Sequence, residues 1–470
     1  MASSHEILAS PHELPAGLGQ REHWADNLRV LVIAVVVVWH TAIAYLGGTG
    51  WYYLDRTTSK VWAAAVTPAW IIAGHALGPL FLVAGWLSAH SLARKGAGGF
   101  ARTRLLRLGV PLIVFIFVIN PLATYLGNLR GARHPSLADY LGGTYGAGPL
   151  WFAAALLAFS LAYALLRRLH PAPVARRRSG EQVMVAAAVL IAVTVFLVWQ
   201  RWPPDANAFL DLRWESWPQG AGLFALGVWA GEAGSLQDLT AWARRLGWTA
   251  LAATVMLVAL AGYEQARGQG EAALRGAGWP MMLAAVLYGI VSVAFTVWFT
   301  ALVRARWSGD GPLRARAGRA SYATYVLHPL LLTAIMVLFA SLALALTFLA
   351  VAVVAVPACY LAGYGRRGSL ASPKYCDRRR IGPHEDPCLR CQRPTLACPP
   401  PGAAVNHIAI PPPTQTTRLG AAGMARPAAR VVDQIGGSAR GYLAVGGASQ
   451  QSRYGLSDGR LFCIFIQRHP

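Results

Sequence analysis

Ten apolar blocks occupy most of the first 364 of the 470 residues, and they decide what this chain can fold into. They cover residues 28–47, 64–90, 106–126, 147–166, 182–199, 217–232, 247–264, 280–303, 320–340 and 342–364. A helix needs about 20 mostly apolar residues to cross a bilayer, where lipid offers the backbone no hydrogen-bond partner. The blocks therefore predict an all-α integral membrane protein, a bundle of about ten transmembrane helices.

The composition excludes an ordinary soluble protein. The chain is 55% hydrophobic and only 13% charged, whereas soluble proteins carry about 25% charged residues. A formal net charge of +22 would suit a nucleic-acid-binding protein, but the basic residues stand in short clusters between the apolar blocks. No zinc-finger or RNA-binding signature occurs. We therefore expect membrane lipid around the chain and no nucleic-acid partner.

The loops between the blocks alternate between many and few basic residues. One set holds 17 of them: Arg94, Lys95, Arg102, Arg104, Arg107, Arg167, Arg168, Arg176, Arg177, Arg178, Arg244, Arg245, Arg304, Arg306, Arg314, Arg316 and Arg319. The other set holds eight: Arg56, Lys60, Arg130, Arg133, Arg201, Arg213, Arg267 and Arg275. The positive-inside rule assigns the richer set to the cytoplasm. This predicts a multi-pass protein of the cytoplasmic (inner) membrane with a cytoplasmic N-terminus.

The composition also divides the chain into three regions. Residues 1–25 form a polar N-terminal segment without the features of a cleaved signal peptide. Residues 26–364 form the membrane domain, and residues 365–470 form a tail rich in proline, glycine, arginine and serine. The tail shows no sustained helical period, which predicts low complexity and disorder. A change of reading frame near Gly363 is an alternative origin of the tail, which sequencing the gene there would test.

The tail contains a possible metal-binding pattern that we interpret as incidental. Cys388 and Cys391 form a CxxC pair with other cysteines and histidines nearby. Structural zinc sites usually combine two such spaced pairs, and the second pair here is irregular. We therefore expect no metal site.

The first block carries three ionisable residues in a regular arrangement: Asp26, Arg29 and, after ten uncharged residues, His40. Eleven residues at about 100° each make three helical turns plus about 20°, so Arg29 and His40 share one face. Asp26 precedes Arg29 by three residues and is placed to pair with it. At about 1.5 Å per residue, His40 lies about 16 Å along the axis from Arg29, near the middle of the membrane.

An ionisable residue at this depth faces the protein interior or a water-filled cavity. A lone histidine there is most simply a neutral group that is hydrogen-bonded to a neighbouring helix. The common stripe of Asp26, Arg29 and His40 favours a functional role instead.

Four further segments form an ordered series with the Arg29–His40 pattern. They are Pro79–Trp86 (PLFLVAGW), Phe100–Pro111 (FARTRLLRLGVP), Gly148–Phe152 (GPLWF) and Ser321–Pro329 (SYATYVLHP). The five segments together resemble those of acyltransferase family 3, a group of bacterial membrane proteins, over residues 20–363. Each segment is weak alone, but five in order on a ten-helix frame are specific. Where the family commonly has Ser-Gly, this chain has Ala84-Gly85, which we interpret as a packing position.

The resemblance implies an O-acyltransferase, an enzyme that transfers acyl groups other than aminoacyl groups. Family members use cytoplasmic acyl-coenzyme A (acyl-CoA) and acylate glycans, lipids or small acceptors. The implied partners are acyl-CoA, as a donor substrate and not a bound cofactor, and an extracytoplasmic glycan or lipid acceptor, with acetyl or succinyl as the expected group. The first two blocks look most like the branch that modifies periplasmic glucans.

His40, Arg29 and Asp26 are the candidate catalytic residues. His40 is suited to act as a general base on the acceptor hydroxyl or to carry the acyl group itself, and the sequence leaves both open. Arg29 would hold the donor or stabilise a developing oxyanion. Asp26 would orient Arg29.

Arg104 and Arg107 are candidates for binding the donor. They lie three residues apart, on one predicted helix face, near the expected cytoplasmic end of the third block. Guanidinium groups bind phosphate bidentately. Their alternative role is membrane topology alone.

Four other residues are candidates for substrate binding: His75, Trp151, Tyr325 and His328. His75 would face the same cavity as His40, and Tyr325 and His328 share a face beside Pro329, which leaves a backbone carbonyl unpaired. Trp151 would be an acceptor platform or part of the interfacial aromatic belt. The belt is also the favoured interpretation of six loop aromatics, and stacking on a sugar acceptor is their alternative role: Trp51, Tyr52, Tyr53, Trp202, Trp214 and Trp217.

A transporter or exporter of a small or anionic solute is the main alternative function, because intramembrane histidine and arginine also mark solute and proton pathways. Transporters often contain internal repeats, but the Arg29–His40 pattern has no counterpart in the second half. A membrane scaffold would leave the stripe unexplained. The sequence does not determine the acyl group, the acceptor or the oligomeric state.

Overall fold

A computed structural model describes most of the region before residue 366. The described residues are 22–44, 51–53, 73–129, 136–143, 145–171, 179–203, 209–233, 236–269, 273, 275–339 and 344–365. Within them 88% of the structure is helical and no strand occurs, which confirms an all-α membrane protein. The N-terminal segment up to residue 21 and the tail from residue 366, with its cysteine pair, lie outside the described residues.

The described part contains thirteen α-helices joined by short turns. They are α1 His23–Ala44, α2 Gly78–Arg104, α3 Val110–Val114, α4 Asn120–Gly127, α5 Leu137–Gly143, α6 Trp151–Leu169, α7 Gly180–Arg201, α8 Trp217–Ala233, α9 Leu236–Thr240, α10 Ala243–Ala266, α11 Trp279–Arg306, α12 Pro312–Phe339 and α13 Leu344–Gly365. The π-helical turns Leu105–Gly109 and Phe115–Ile119 join α2, α3 and α4 into one helical run. Three 3₁₀ turns lie at Gly148–Leu150, Phe209–Asp211 and Trp214–Ser216.

Seven described helical segments are long and apolar enough to cross a membrane. One of them, residues 73–127, has 55 residues and as one helix would be about 80 Å long, far more than the hydrocarbon thickness of about 30 Å. Gly96 interrupts it with a φ of 67°, a conformation that glycine adopts without a Cβ clash. The segment therefore contains two crossings. With the apolar helices α8 and α13, each of the ten predicted blocks overlaps a helix, although residues 64–72 of the second block lie outside the described residues.

Helices α2 and α8 approach each other at the level of their backbones. A Cβ added to Gly85 would overlap the carbonyl oxygen of Phe224, and one added to Gly227 would overlap the carbonyl oxygen of Leu82. Small residues at helix contacts permit such close approach in membranes, where lipid removes the usual hydrophobic driving force between helices. Gly85 therefore has a packing role, as the sequence suggested.

Helix α1 is held on two sides by polar contacts to other helices. At its start, the Asn27 side chain donates to the carbonyls of Trp307 and Gly309 at 2.6 and 3.1 Å. Farther along, the Tyr360 hydroxyl of α13 donates to the Val30 carbonyl at 2.6 Å. These bonds orient the helix that carries both Arg29 and His40.

Candidate active site

His40 of α1 meets His328 of α12 inside the bundle. His40 Nδ1 lies 3.1 Å from His328 Nε2, and the ring centroids are 5.0 Å apart. His328 is fully buried, while His40 lies four residues before the last residue of α1 and is partly buried. The two residues are 288 positions apart in the chain, so the pair exists only in the folded molecule.

Pro329 explains the orientation of His328. Proline has no backbone N–H, so the carbonyl one turn earlier, that of Tyr325, lacks its usual helical donor. His328 Nδ1 lies 2.6 Å from that carbonyl and must donate to it, because a carbonyl oxygen only accepts. A neutral His328 then accepts at Nε2 from the Nδ1–H of His40.

This arrangement leaves His40 Nε2 without a proton. A neutral imidazole carries a single N–H, so a proton on Nδ1 that is donated to His328 leaves a lone pair on Nε2. His40 also bonds to the Val36 carbonyl one turn earlier. The lone pair on Nε2 is therefore the group of the pair that can accept a proton.

Two aromatic residues enclose the histidine pair. Trp51 is buried and stacks on His40 with the ring centroids 4.4 Å apart. The sequence favoured a place in the interfacial aromatic belt for Trp51, and its burial against His40 contradicts that prediction. The Tyr325 ring stacks on His328 at 5.7 Å, and its hydroxyl donates to the Pro149 carbonyl. Tyr325 thus ties the turn before α6 to the pair.

The other end of the α1 stripe carries an ion pair. Arg29 Nη1 lies 2.8 Å from Asp26 Oδ1, as the three-residue spacing predicts. Asp26 also packs close to Gly318 of α12. Asp26 is therefore positioned to fix the direction of the Arg29 guanidinium.

Arginines of α2 and the following π-helical turn join Arg29. Arg104 Nη2 donates to Ser88 Oγ at 2.8 Å and lies 5.0 Å above the Phe100 ring. The charges of Arg29 and Arg107 both act on Arg104. The predicted common helix face of Arg104 and Arg107 does not follow from α-helical spacing, because a wider π-helical turn begins directly after Arg104. Together Arg29, Arg104 and Arg107 form a cationic cluster.

His75 and Trp151 lie beside other partners than the histidine pair. His75 is buried against Tyr288, with ring centroids 4.6 Å apart. Trp151 is partly buried and packs 6.4 Å from Phe81. Neither residue has a described contact with His40, and their predicted substrate contacts stay predictions.

Sequence reasoning missed a polar loop at the His40 end of the bundle. Arg213 Nε lies 2.6 Å from Glu215 Oε1, and the Glu215 side chain is only 4% exposed. Burial raises the pKa of the Glu215 and Asp211 carboxyls, and the Arg213 guanidinium opposes that rise. The signal in the sequence is the alternation of Asp211, Arg213 and Glu215 among tryptophans. Topology alone uses only the arginine of that run.

No group of three or more histidine, cysteine, aspartate or glutamate side chains that could hold a metal ion occurs within the described ranges. The pair supplies only two such side chains, and both nitrogens of His328 are already used, Nδ1 by the Tyr325 carbonyl and Nε2 by His40 Nδ1. The geometry is that of a proton acceptor with an orienting partner.

A scan against family models shows one match over most of the chain. Residues 22–364 match the model of acyltransferase family 3, described as an acyltransferase domain. The chain belongs to acyltransferase family 3. Neither the curated proteins nor the solved structures contain a match. The protein is thus a membrane acyltransferase, and the match ends within α13, before the tail.

The fold gathers this acyltransferase's sequence segments into two places. His40 of the first segment and Tyr325 and His328 of the last lie at one end of α1. Arg29 of the first segment and Arg104 of the third lie at the other. The Ala84-Gly85 position contributes to the second place through Ser88, one turn later, whose hydroxyl donates to the Ala84 carbonyl at 2.6 Å.

Proposed function

We propose that this acyltransferase moves an acyl group from cytoplasmic acyl-CoA to a hydroxyl group of an extracytoplasmic glycan, lipid or small acceptor. The observation that carries the proposal is helix α1, which joins a cationic cluster to an oriented histidine. The two sites are separated by about 16 Å along the helix axis. That separation suits a donor whose phosphates stay at one face while its thioester is presented deeper in the protein.

The cationic cluster is the proposed site for the donor phosphates. Arg104 is held by Ser88 and lies close to the charge of Arg29. Two like charges held near each other in a partly buried site are unfavourable until an anion binds between them. Guanidinium groups suit phosphate because they donate in pairs. In the proposed topology this end of the bundle faces the cytoplasm, where acyl-CoA is available.

The histidine pair is the proposed site of the chemistry. His40 Nε2 takes the proton of the acceptor hydroxyl while its oxygen forms a bond to the acyl carbon. The carbon–sulfur bond of the thioester then breaks, and the thiolate receives the proton from the His40 imidazolium. His328 keeps His40 in the required tautomer. In catalytic sites with a nucleophile and a base, a third group often orients the base in the same way. The products are an acyl ester and free coenzyme A.

The acyl group we propose is acetyl or succinyl, and the membrane is the cytoplasmic (inner) membrane of a bacterium. The N-terminus would then be cytoplasmic, in agreement with the excess of basic residues at the Arg104 end of the bundle. No permanently bound cofactor is needed, since the thioester already activates the acyl carbon.

The test is release of coenzyme A by the purified, detergent-solubilised protein given labelled acetyl-CoA or succinyl-CoA. We expect the change His40→Ala to lower the rate of release by at least about 100-fold, since general-base catalysis contributes about 10²–10⁴-fold. The matched control is His90→Ala, because His90 also bonds to a carbonyl one turn earlier but lies away from the pair. The control should keep the wild-type rate.

Two results would contradict the proposal. Release that is unchanged in the His40→Ala variant would make His40 a packing residue. Absence of release and of binding with both donors would instead favour a transporter of an anionic solute. A labelled acyl group that stays covalently attached to the protein would replace the general-base step with transfer through an acyl-histidine.

A further inference from the structure

The turn before α8 is fastened to the bundle at several points although its backbone is strained. Leu210, Asp211 and Arg213 all have positive φ values, of 55°, 48° and 52°, a region that L-residues avoid because Cβ approaches the backbone. The Ala147 amide donates to the Leu210 carbonyl at 2.7 Å, and the Trp199 indole donates to the Glu215 carbonyl at 3.0 Å. Strain that is held by several bonds is typical of functional sites.

The same turn faces the histidine pair. The Arg213 guanidinium is within electrostatic range of His40. The Asp211 carboxylate is within range of Tyr52, whose neighbour Trp51 covers the His40 ring. Irregular backbone this close to an intramembrane histidine requires a protein interior or a water-filled cavity. The Arg213 turn therefore lies near the histidine pair, at the same end of α1.

Three side chains of this region keep unused hydrogen-bonding atoms. Arg213 uses Nε for Glu215, which leaves the two Nη atoms of the guanidinium group to donate to other acceptors. Glu215 Oε2 and Gln219 Nε2 are buried and have no hydrogen-bond partner among the described residues. Gln219 is 3% exposed, and its Oε1 accepts from the Tyr288 hydroxyl at 3.1 Å. Such buried polar atoms are costly unless a ligand or water satisfies them.

Tryptophan rings form a wall beside these polar atoms. Trp214 and Trp217 have ring centroids 4.3 Å apart, and Trp202 lies 6.2 Å from Trp214. All three are partly exposed. The Trp217 indole donates to the Leu212 carbonyl at 2.8 Å, which fixes the wall to the turn. An apolar wall with a few fixed polar groups is the usual form of a small-ligand site.

We propose that Arg213, Glu215 and Gln219 bind the acceptor as a neutral sugar ring that stacks on Trp214 and Trp217. The Glu215 carboxylate accepts a hydrogen bond from a hydroxyl group of the sugar, and Gln219 and Arg213 donate hydrogen bonds to sugar oxygens. The hydroxyl group that reacts then points towards His40. This inference rests on the proposed function, and it names the acceptor class and the residues that select it.

The test compares acyl transfer to methyl glucoside with acyl transfer to glycerol and hydrolysis of the same acetyl-CoA by water. We expect Glu215→Gln to raise the KM for methyl glucoside by at least about tenfold, while His40-dependent hydrolysis and the KM for acetyl-CoA stay unchanged. Arg213→Lys keeps the charge but removes the planar fork, and it should shift the sugar KM in the same direction. Glycerol has no ring to stack on the tryptophans and should be the poorer acceptor.

Glu264→Gln is the matched control, because Glu264 of α10 is also buried and lies 3.8 Å from an arginine, Arg267. It should leave all three rates unchanged. An unchanged sugar KM in both variants, an equal loss of hydrolysis and transfer, or no transfer to the sugar by an enzyme that hydrolyses acetyl-CoA would each overturn the inference. If the release of coenzyme A by the wild-type protein did not depend on His40, the proposed function itself would instead be overturned.

Discussion

At the scale of single residues, Pro329 orients the neighbouring His328, which contacts a histidine 288 positions away, His40. Pro329 removes the donor of the Tyr325 carbonyl, and His328 replaces it at 2.6 Å. That bond places the proton of His328 on Nδ1 and directs its free Nε2 to His40. In the proposed mechanism the pair works as base and orienter, and His328 acts through His40.

Replacing His328 tests this division of roles. We expect His328→Ala to lower kcat by about 10²-fold or more with little change in the KM for acyl-CoA, because His40 loses its preferred tautomer. His328→Gln should recover part of the rate, since an amide can donate to the Tyr325 carbonyl and accept from His40. Steady-state kinetics on both variants provide the measurement.

The control for damage to α12 is Thr324→Val, which removes a buried hydroxyl bonded to the Cys359 carbonyl at 3.2 Å. It should keep the wild-type kcat. If the alanine and glutamine variants of His328 were equally impaired, the residue would serve packing and not proton placement.

At the scale of helices, close packing of α2 against α8 sets the position of the cationic cluster. Gly85 and Gly227 let the two backbones touch, and Ser88, one turn from the contact, holds Arg104. A second link ties α6 to α8, where Glu232 accepts from the Tyr163 hydroxyl at 2.7 Å and pairs with Arg167 at 3.3 Å. The end of the bundle with the cationic cluster, where we propose that the donor binds, is thus built by helix–helix contacts.

The change Gly85→Ala tests the contact between α2 and α8. Its Cβ would overlap the Phe224 carbonyl, so the helices must separate at a cost of about 1–3 kcal/mol. We expect a lower Tm in detergent and a higher KM for acyl-CoA.

Gly262→Ala on α10 is the matched control, because nothing lies within 4 Å of its added Cβ. It should keep or raise the Tm, since alanine favours a helix by about 1 kcal/mol over glycine. Equal Tm values for both variants and the wild type would show that the contact between α2 and α8 is not tight.

At the scale of the whole molecule, α1 links two chemically different ends. Arg29, Arg104 and Arg107 gather positive charge at one end, and the histidine pair with the Arg213 turn occupies the other. Variants at the arginine end should therefore change the KM for acyl-CoA, and variants at the histidine pair should change kcat.

Arg104→Gln tests the donor end. We expect the KM for acyl-CoA to rise by about tenfold, as one charge-assisted contact is worth about 1.5–3 kcal/mol, while kcat changes little. The KM should also become less sensitive to salt, because one fewer charge attracts the donor phosphates. Arg168→Gln, at an exposed position at the end of α6, should change neither. A drop in kcat without a change in KM would move Arg104 from donor binding to the chemistry.

Local patterns in the sequence predicted a large part of the fold. The ten blocks were visible because a membrane crossing requires a continuous apolar run. The pairing of Asp26 with Arg29 and the common face of Arg29 and His40 follow from the helical repeat alone. The carbonyl freed by Pro329 was also visible, because it depends on a residue four positions away.

Contacts between distant segments produced the rest. His328 as the partner of His40, Trp51 on the His40 ring and Arg213 near it join loops and helices that no local repeat relates. The three positive φ values of the Arg213 turn are unfavourable for L-residues, and bonds to α7, to α8 and to the turn before α6 hold them. A periodic pattern therefore specifies helices and their faces, whereas the active site depends on which faces meet when the bundle packs.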